Sequence, residues 1–362
     1  MMRWTGRHRA MMKAAIEVAT LGKGKTYPNP AVGAIIAKGS RIVGKGYHRR
    51  AGLPHAEVEA LGEAGSQARG ADLYVTLEPC DHHGRTPPCT EAIIRSGIRR
   101  VFVATLDPNP LVNGRGIRRL RRAGLEVHVG LLADEARSLN QAYFTFMRQG
   151  RPFISLKVAQ TIDGMIATRS GESKWVTSRI ARAAARHLRY EAQALLVGIN
   201  TVIKDDPLLL PVPRRKTGYL RCILDSHLKL PVASRIATTS NSYPAVVYCV
   251  DGSRRKRHEL QRAGVEVKVV SPWKDGRVDI HKVVEDLASR QIMHLLVEGG
   301  ASTLSSFLRE GLFDRLLIFL APKIMGGRLG LPSFAELPLK DFAECYQLRF
   351  TRVEMVGTDM MV

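Results

Sequence analysis

A chain of 362 residues that is 45% hydrophobic, 24% charged and 6% aromatic has the make-up of a folded globular protein long enough for two domains, which excludes disordered and fibrous classes. Lys and Arg number 55 against 33 Asp and Glu, a formal charge of +22 that points toward nucleic acid, an anionic membrane surface or phosphorylated small molecules. Five cysteines, an odd number spread over a long chain, exclude a disulfide-stapled secreted domain and fit a reducing cytoplasm. The opening segment has no leader-like apolar core, and no window approaches the roughly 20 apolar residues of a membrane span.

In chain order, residues 11–21 have apolar positions at helical spacing and stop at Gly22, before the turn-rich Tyr27-Pro28-Asn29-Pro30. Residues 31–37 and 41–47 read as two strands joined by Lys38-Gly39-Ser40. There follow a helix at 55–64, a strand at 72–77, a helix opening near Cys89, a strand at 100–105, a helix at 117–123 and a strand at 125–129. This alternation predicts an α/β sheet with helices on its faces, begun by an antiparallel hairpin. A single helix over 134–148 ends at Gly150-Arg151-Pro152, where the domain boundary is placed, giving domains 1–149 and 150–362.

The second half repeats the pattern with strands at 153–158, 194–197, 222–224, 245–249, 265–270 and 294–297. Helices alternate with them at 179–190, 255–263, 280–289 and from Ala301 onward. Short apolar strands between helices predict a largely parallel sheet buried on both faces.

The strongest chemistry lies in His55-Ala56-Glu57, Pro79-Cys80 and Cys89. One imidazole and two thiolates form the soft tetrahedral set that suits Zn2+, and three protein ligands leave the fourth position open, as in catalytic sites. Glu57, two residues past His55 at a helix start, is placed to shuttle protons without ligating. This His-x-Glu and Pro-Cys pattern is that of the zinc deaminases. Cys89, at a predicted helix N-terminus, is expected to have its thiolate stabilised by the backbone dipole. The spacing departs from Cys-x-x-Cys, because Asp81 to Pro88 intervene. In that polar, proline-braced loop Arg85, His82 and His83 are candidate donors to a phosphate or hydroxyl.

Pro28-Asn29-Pro30 before Val32-Gly33, His55-Ala56-Glu57, the run from Val75 through Thr86-Pro87-Pro88-Cys89, and Asp107-Pro108-Asn109-Pro110 closely resemble the bifunctional riboflavin-biosynthesis deaminase/reductase family over nearly the whole chain. The resemblance implies a cytidine-deaminase-like α/β/α sandwich that hydrolyses the exocyclic amine of 2,5-diamino-6-ribosylamino-4(3H)-pyrimidinone 5′-phosphate. It assigns one zinc to His55, Cys80 and Cys89, proton transfer to Glu57, and substrate contacts to Asn29, His48, His82, Asp107 and Asn109.

Alone, the strand at Leu295 to Glu298 running into Gly299-Gly300 and a helix is a weak phosphate-binding signal, and Asp163-Gly164 is a turn signal. Together with Lys157 to Gly164, Gly171 to Ser178, Val197 to Val202, Asp205-Asp206-Pro207, Leu224-Asp225-Ser226 and Ala321-Pro322-Lys323 it resembles the family's reductase half. That half implies a dihydrofolate-reductase-like α/β domain that uses NADPH to reduce the ribosyl side chain of the deaminated product to ribityl. By position, Ala159, Trp175, Thr201, Asp205, Ser226 and the turn Gly300, Ala301, Ser302, Thr303, Leu304 and Ser305 would meet NADPH. Ser173, Arg189, Leu209 and Glu298 would face the substrate.

In one place the sequence departs from the family pattern. Val212 stands where the family usually carries a phosphate-binding Arg, so Arg214 or Arg215 is the expected substitute.

The basic residues, among them Arg115, Arg118, Arg119, Arg121, Arg122 and Arg254 to Arg257, are scattered over both halves and have few aromatics for stacking. They read as solvated surface on a cytoplasmic enzyme of phosphorylated pyrimidines. Nucleic acid and membrane are not expected as partners, and a homo-oligomer is left open. The competing reading is a zinc nucleobase deaminase acting on RNA with a non-catalytic C-terminal domain.

Overall fold

The computed structural model describes residues 4–84, 86–214, 218–326, 330–335, 337 and 339–362. The chain divides into two compact units, Met1–Gly150 and Arg151–Val362. The first contains α1 (Gly6–Thr20), β1 (Gly33–Lys38), β2 (Arg41–Tyr47), α2 (Ala56–Ala64), β3 (Asp72–Val75), α3 (Cys89–Arg95), β4 (Arg100–Val103), α4 (Arg115–Arg122), β5 (Glu126–Val129), α5 (Ala133–Leu139) and α6 (Gln141–Gln149). Its sheet runs β2-β1-β3-β4-β5, with β1 antiparallel to both neighbours and β3, β4 and β5 parallel.

Side-chain alternation divides this sheet into two packed faces. Ile36, Leu73, Val75, Val101 and Val103 pack with Ala56 and Ala60 of α2, while Ile35, Tyr74 and Phe102 pack with Met12 and Ala15 of α1. Helix α2 lies unusually close to β2 because glycines face it. A Cβ on Gly46 would come within 2.2 Å of the Ala56 carbonyl, and one on Gly44 within 2.3 Å of that of Ala60. These two glycines thus set the height of the α2 N-terminus, where His55 and Glu57 sit.

The single helix expected over 134–148 is two helices. Asn140 breaks it with φ −115° and ψ 28°, because its buried side-chain amide is committed elsewhere. Its Oδ1 accepts from Ala31 N–H and its Nδ2 donates to the Ala31 carbonyl, both at 2.8 Å, as a strand partner would. Asn140→Ala would orphan both buried backbone groups, so urea unfolding should show the first unit weakened by about 2–4 kcal/mol. A loss under about 1 kcal/mol would contradict this role.

The second unit contains β6 (Phe153–Thr161), β7 (Met165–Thr168), α7 (Arg179–Glu191), β8 (Ala194–Gly198), α8 (Ile199–Asp205), β9 (Leu220–Leu224), α9 (Arg235–Thr238), β10 (Ala245–Cys249), α10 (Arg254–Arg262) and β11 (Glu266–Val269). It continues with α11 (Ile280–Ser289), β12 (His294–Glu298), α12 (Ala301–Arg309), β13 (Arg315–Ala321), β14 (Gly330–Pro332), β15 (Glu354–Val356) and β16 (Asp359–Met361). The large sheet runs β11-β10-β9-β8-β12-β6-β13-β16-β15. It is parallel from β11 to β13 and antiparallel beyond.

Its central strands are apolar on both faces, Ile154, Leu196 and Leu295 toward one layer and Leu195, Val197 and Leu296 toward the other. The antiparallel edge and the small β7–β14 pair lie beyond the elements expected from the sequence. In this arrangement the carboxyl ends of β6, β8, β9 and β12 open onto one crevice, the usual location of ligands in open α/β sheets.

Candidate active sites

In the first unit the segments just before β1 and just after β2 and β3, the start of α2 and the loop carrying Asp107 and Asn109 line a pocket of about 320 Å³. His55 is the N-cap of α2 in extended conformation, and Cys89 is the first residue of α3. His55 Nδ1 lies 3.2 Å from Cys89 Sγ and 3.5 Å from Cys80 Sγ, and the three ligand atoms lie within 4.8 Å of one another. Tetrahedral zinc with its usual bond lengths separates nitrogen and sulfur ligands by about 3.6 Å. The donor set and its spacing therefore fit zinc.

The first N–H of α3, that of Cys89, points at Cys80 Sγ at 3.5 Å, so the favourable end of this helix acts on Cys80 rather than on Cys89 as expected. The Cys89 sulfur, His55 and that N–H hold the Cys80 thiol well down, whereas the Cys80 sulfur and burial push Cys89 up.

Glu57 lines the same pocket from the first turn of α2. It is 3% exposed, its Oε2 is buried without a partner, and burial pushes its carboxyl up to about 7. A buried, unpartnered carboxylate oxygen beside three metal-type ligands is poised to exchange a proton with whatever occupies the pocket.

Asn29, His48, His82, Asp107 and Asn109 all line this pocket. His48 is held from both sides: its Nδ1 donates to the Pro54 carbonyl at 3.2 Å and its Nε2 accepts from Asn29 Nδ2 at 3.0 Å. Burial lowers its pKa, which favours this neutral form. Asp107 accepts Asn109 N–H and Tyr143 O–H, each at 2.8 Å, and burial raises its carboxyl to about 6. His83 faces outward near Glu91, and Arg85 lies outside the described residues.

In the second unit a crevice of about 990 Å³ is walled by the strand ends named above. Glu298 ends β12, opposite Lys157 in the β6 register, and Arg189 of α7 clamps it with two hydrogen bonds of 2.9 and 2.8 Å. Although burial opposes ionisation, the Arg189 guanidinium and the Lys157 ammonium hold the Glu298 carboxyl down to about 2. Above this floor, Gly299 takes φ +138° and a Cβ on Gly300 would meet nothing, so the backbone entering α12 can approach a ligand closely. A roomy crevice with a cationic floor and an uncapped helix start suits an extended, multiply phosphorylated cofactor.

Residues 152–362 match the RibD C-terminal domain family, and residues 5–105 match the cytidine and deoxycytidylate deaminase zinc-binding region. The riboflavin biosynthesis protein RibD of Aquifex aeolicus (strain VF5) is 50% identical over 353 residues, 97% of this chain and 96% of its own.

The chain belongs to the RibD family.

RibD of Escherichia coli (strain K12) is 37% identical over 366 residues, 96% of each chain. The solved Acinetobacter baumannii RibD superposes with a TM-score of 0.85 at 38% identity, covering 98% of this chain and 97% of that one. A diaminohydroxyphosphoribosylaminopyrimidine deaminase/5-amino-6-(5-phosphoribosylamino)uracil reductase of Thermotoga maritima gives 0.83 at 35% identity over 98% and 97%. The cytidine-deaminase-like and dihydrofolate-reductase-like halves expected from the sequence are therefore those of a RibD protein, and its cofactors are zinc and NADPH.

Of the positions expected to meet NADPH, Ala159, Trp175, Thr201, Asp205 and Ser226 line the RibD crevice together with Gly300, Ala301 and Ser302. Thr303 is not among the lining residues, and Leu304 and Ser305 face inward: Leu304 is buried in the core, and Ser305 is bonded to Ala335. A helix turns successive side chains about 100° apart, so a run of six cannot all face one crevice. Ser173, Arg189, Leu209 and Glu298 line it as well. Val212 and Arg214 do not, and Arg215 lies outside the described residues.

Three residues of the two sites carry no sequence signal of their own. Tyr143 reaches Asp107 from α6, far along the chain. Glu78, buried, accepts the N–H groups of Asp107, Gly114 and Ile117 and so ties the 105–117 loop to the zinc pocket. Lys157 was visible only as part of a motif, and its place opposite Glu298 needed the strand register.

Proposed function

We propose that the chain performs two successive steps of riboflavin biosynthesis. Domain 1–149 hydrolytically deaminates 2,5-diamino-6-ribosylamino-4(3H)-pyrimidinone 5′-phosphate. Domain 150–362 then reduces the ribosyl side chain of 5-amino-6-(5-phosphoribosylamino)uracil to ribityl with NADPH. The observation that carries the first step is the convergence of His55 Nδ1, Cys80 Sγ and Cys89 Sγ beside the unpartnered Glu57 Oε2.

Zinc held by His55, Cys80 and Cys89 would supply Lewis acidity that makes hydroxide accessible near neutral pH. Glu57 Oε2 takes a proton and returns it to the departing amine. The His48–Asn29 pair and the Asp107–Asn109 turn orient the pyrimidine and its ribose. In the second domain NADPH would supply hydride, and Ser173, Arg189, Leu209 and Glu298, which line the same crevice, would bind the phosphorylated substrate.

The RNA-directed alternative is disfavoured because the reductase family accounts for all of residues 152–362. Cytoplasmic residence is supported by five free cysteines, two of which must stay reduced to bind metal. Among the described residues no helix is long and apolar enough to cross a membrane.

Metal analysis tests the first site. Cys80→Ser and Cys89→Ser should each leave well under one zinc per chain and no deamination. Full zinc retention in either would remove that cysteine from the ligand set.

A further inference from the structure

We infer that Arg221 and Tyr219, which lie behind the crevice rather than in it, are positioning residues for the reductase substrate. They draw in the carbonyls of Leu208 and Leu209 and so set the loop that presents Leu209 to the aminouracil phosphate. This rests on reading the crevice as the site of that substrate.

The loop after α8 has an unfavourable backbone. Asp206 takes φ +38° and Leu209 φ +55°, a region that residues with a side chain rarely adopt and that persists only where the surroundings impose it. Pro207 and Leu209 of this loop line the crevice. Three tethers hold it from behind. Asp206 Oδ1 accepts the Arg235 N–H at the start of α9 at 2.8 Å, the Leu208 carbonyl accepts from Arg221 Nη1 at 3.3 Å, and the Leu209 carbonyl accepts from Tyr219 O–H at 3.1 Å. Arg221 lies in β9 and Tyr219 immediately before it, so a central strand of the sheet dictates where the loop sits.

The Arg221 guanidinium ties further segments to the same point. Nη1 also donates to Thr239 Oγ1 at 3.0 Å, and Nη2 donates to the Ile236 carbonyl at 3.2 Å and to that of Tyr243. The circuit closes, because α9 is held by Arg221 at its carbonyls and by Asp206 at its N-terminus. Arg221 is fully buried, its Nε has no partner, and no carboxylate faces it among the described residues. A buried cation without a counter-ion is a poor source of stability. Its rigid fork is well suited to fixing several oxygens in one plane, and here it joins the crevice loop to α9 and to the segment before β10.

Steady-state kinetics of the full-length protein, with the aminouracil phosphate and NADPH varied separately, test the assignment. Arg221→Lys keeps the charge but cannot span the oxygens, and Tyr219→Phe deletes a single hydroxyl. Each should raise KM for the aminouracil phosphate about 10-fold, with kcat and the KM for NADPH within about twofold. Because both act through one loop, the double variant should fall well short of the about 100-fold expected of independent sites. An equal rise in both KM values, or a lowered urea midpoint with both KM values unchanged, would show a merely structural role and overturn the assignment. Should Arg221→Lys fail to fold, an unchanged KM in Tyr219→Phe would overturn it alone. Failure of the unaltered protein to oxidise NADPH with the aminouracil phosphate would instead remove the reading of the crevice itself.

Discussion

Glu57→Gln should lower the deamination rate by about 10³- to 10⁴-fold while the chain keeps its zinc. Glutamine preserves the volume and shape of the buried side chain, so the pocket and the three ligands are undisturbed. It cannot accept a proton at Oε2 and pass it on. The carboxyl is suited to that transfer because burial raises it to about 7 and no protein group occupies Oε2. The contrast with Cys80→Ser separates the roles, since one variant loses chemistry with metal retained and the other loses metal. A Glu57→Gln protein that deaminates within tenfold of the unaltered rate would sink the assignment.

The second large effect concerns stability. Glu298→Gln should weaken the second unit by about 3–5 kcal/mol, because it leaves Arg189 and Lys157 as two uncompensated cations at the crevice floor. Arg189→Met should cost less, since Glu298 keeps Lys157 opposite it in the sheet. Urea unfolding followed by fluorescence of Trp175 and Trp273 provides the readout. The opposite ranking of the two variants would show that Glu298 is not the shared counter-ion.

The sign of the pH dependence follows from the same pair. A carboxyl held near 2 instead of 4.5 contributes its full stabilisation above about pH 4.5 and loses it as pH falls toward 2. The Glu298→Gln variant should therefore lose less stability than the unaltered protein across that acid range.

Much of this was legible in the sequence because local signals agreed with the tertiary outcome. Strands β2 and β10 and helix α11 lie at the boundaries read from alternation and helical period. The zinc ligands could be read because a catalytic metal requires particular residue types at element ends.

What escaped the sequence was set by long-range contacts. Asn140 looks like any polar residue on an amphipathic helix until Ala31 captures it. Tyr143 is indistinguishable from a core aromatic without Asp107 beside it. Strand β13 is an apolar run of the kind that periodicity cannot tell from a buried helix, and its partner β6 lies more than a hundred residues earlier. The charge of +22 gave the least guidance, and some of it is now placed: Lys157, Arg189, Lys229 and Arg277 all face the crevice.

The central claim is that two activities act in sequence on one chain, and the loss of NADPH absorbance by the Glu57→Gln protein tests it most directly. Offered the diaminopyrimidine phosphate, this variant should consume almost no NADPH. Offered the already deaminated aminouracil phosphate, it should consume NADPH at the unaltered rate. Rapid NADPH loss with the diamino substrate, or none with the deaminated one, would contradict the account.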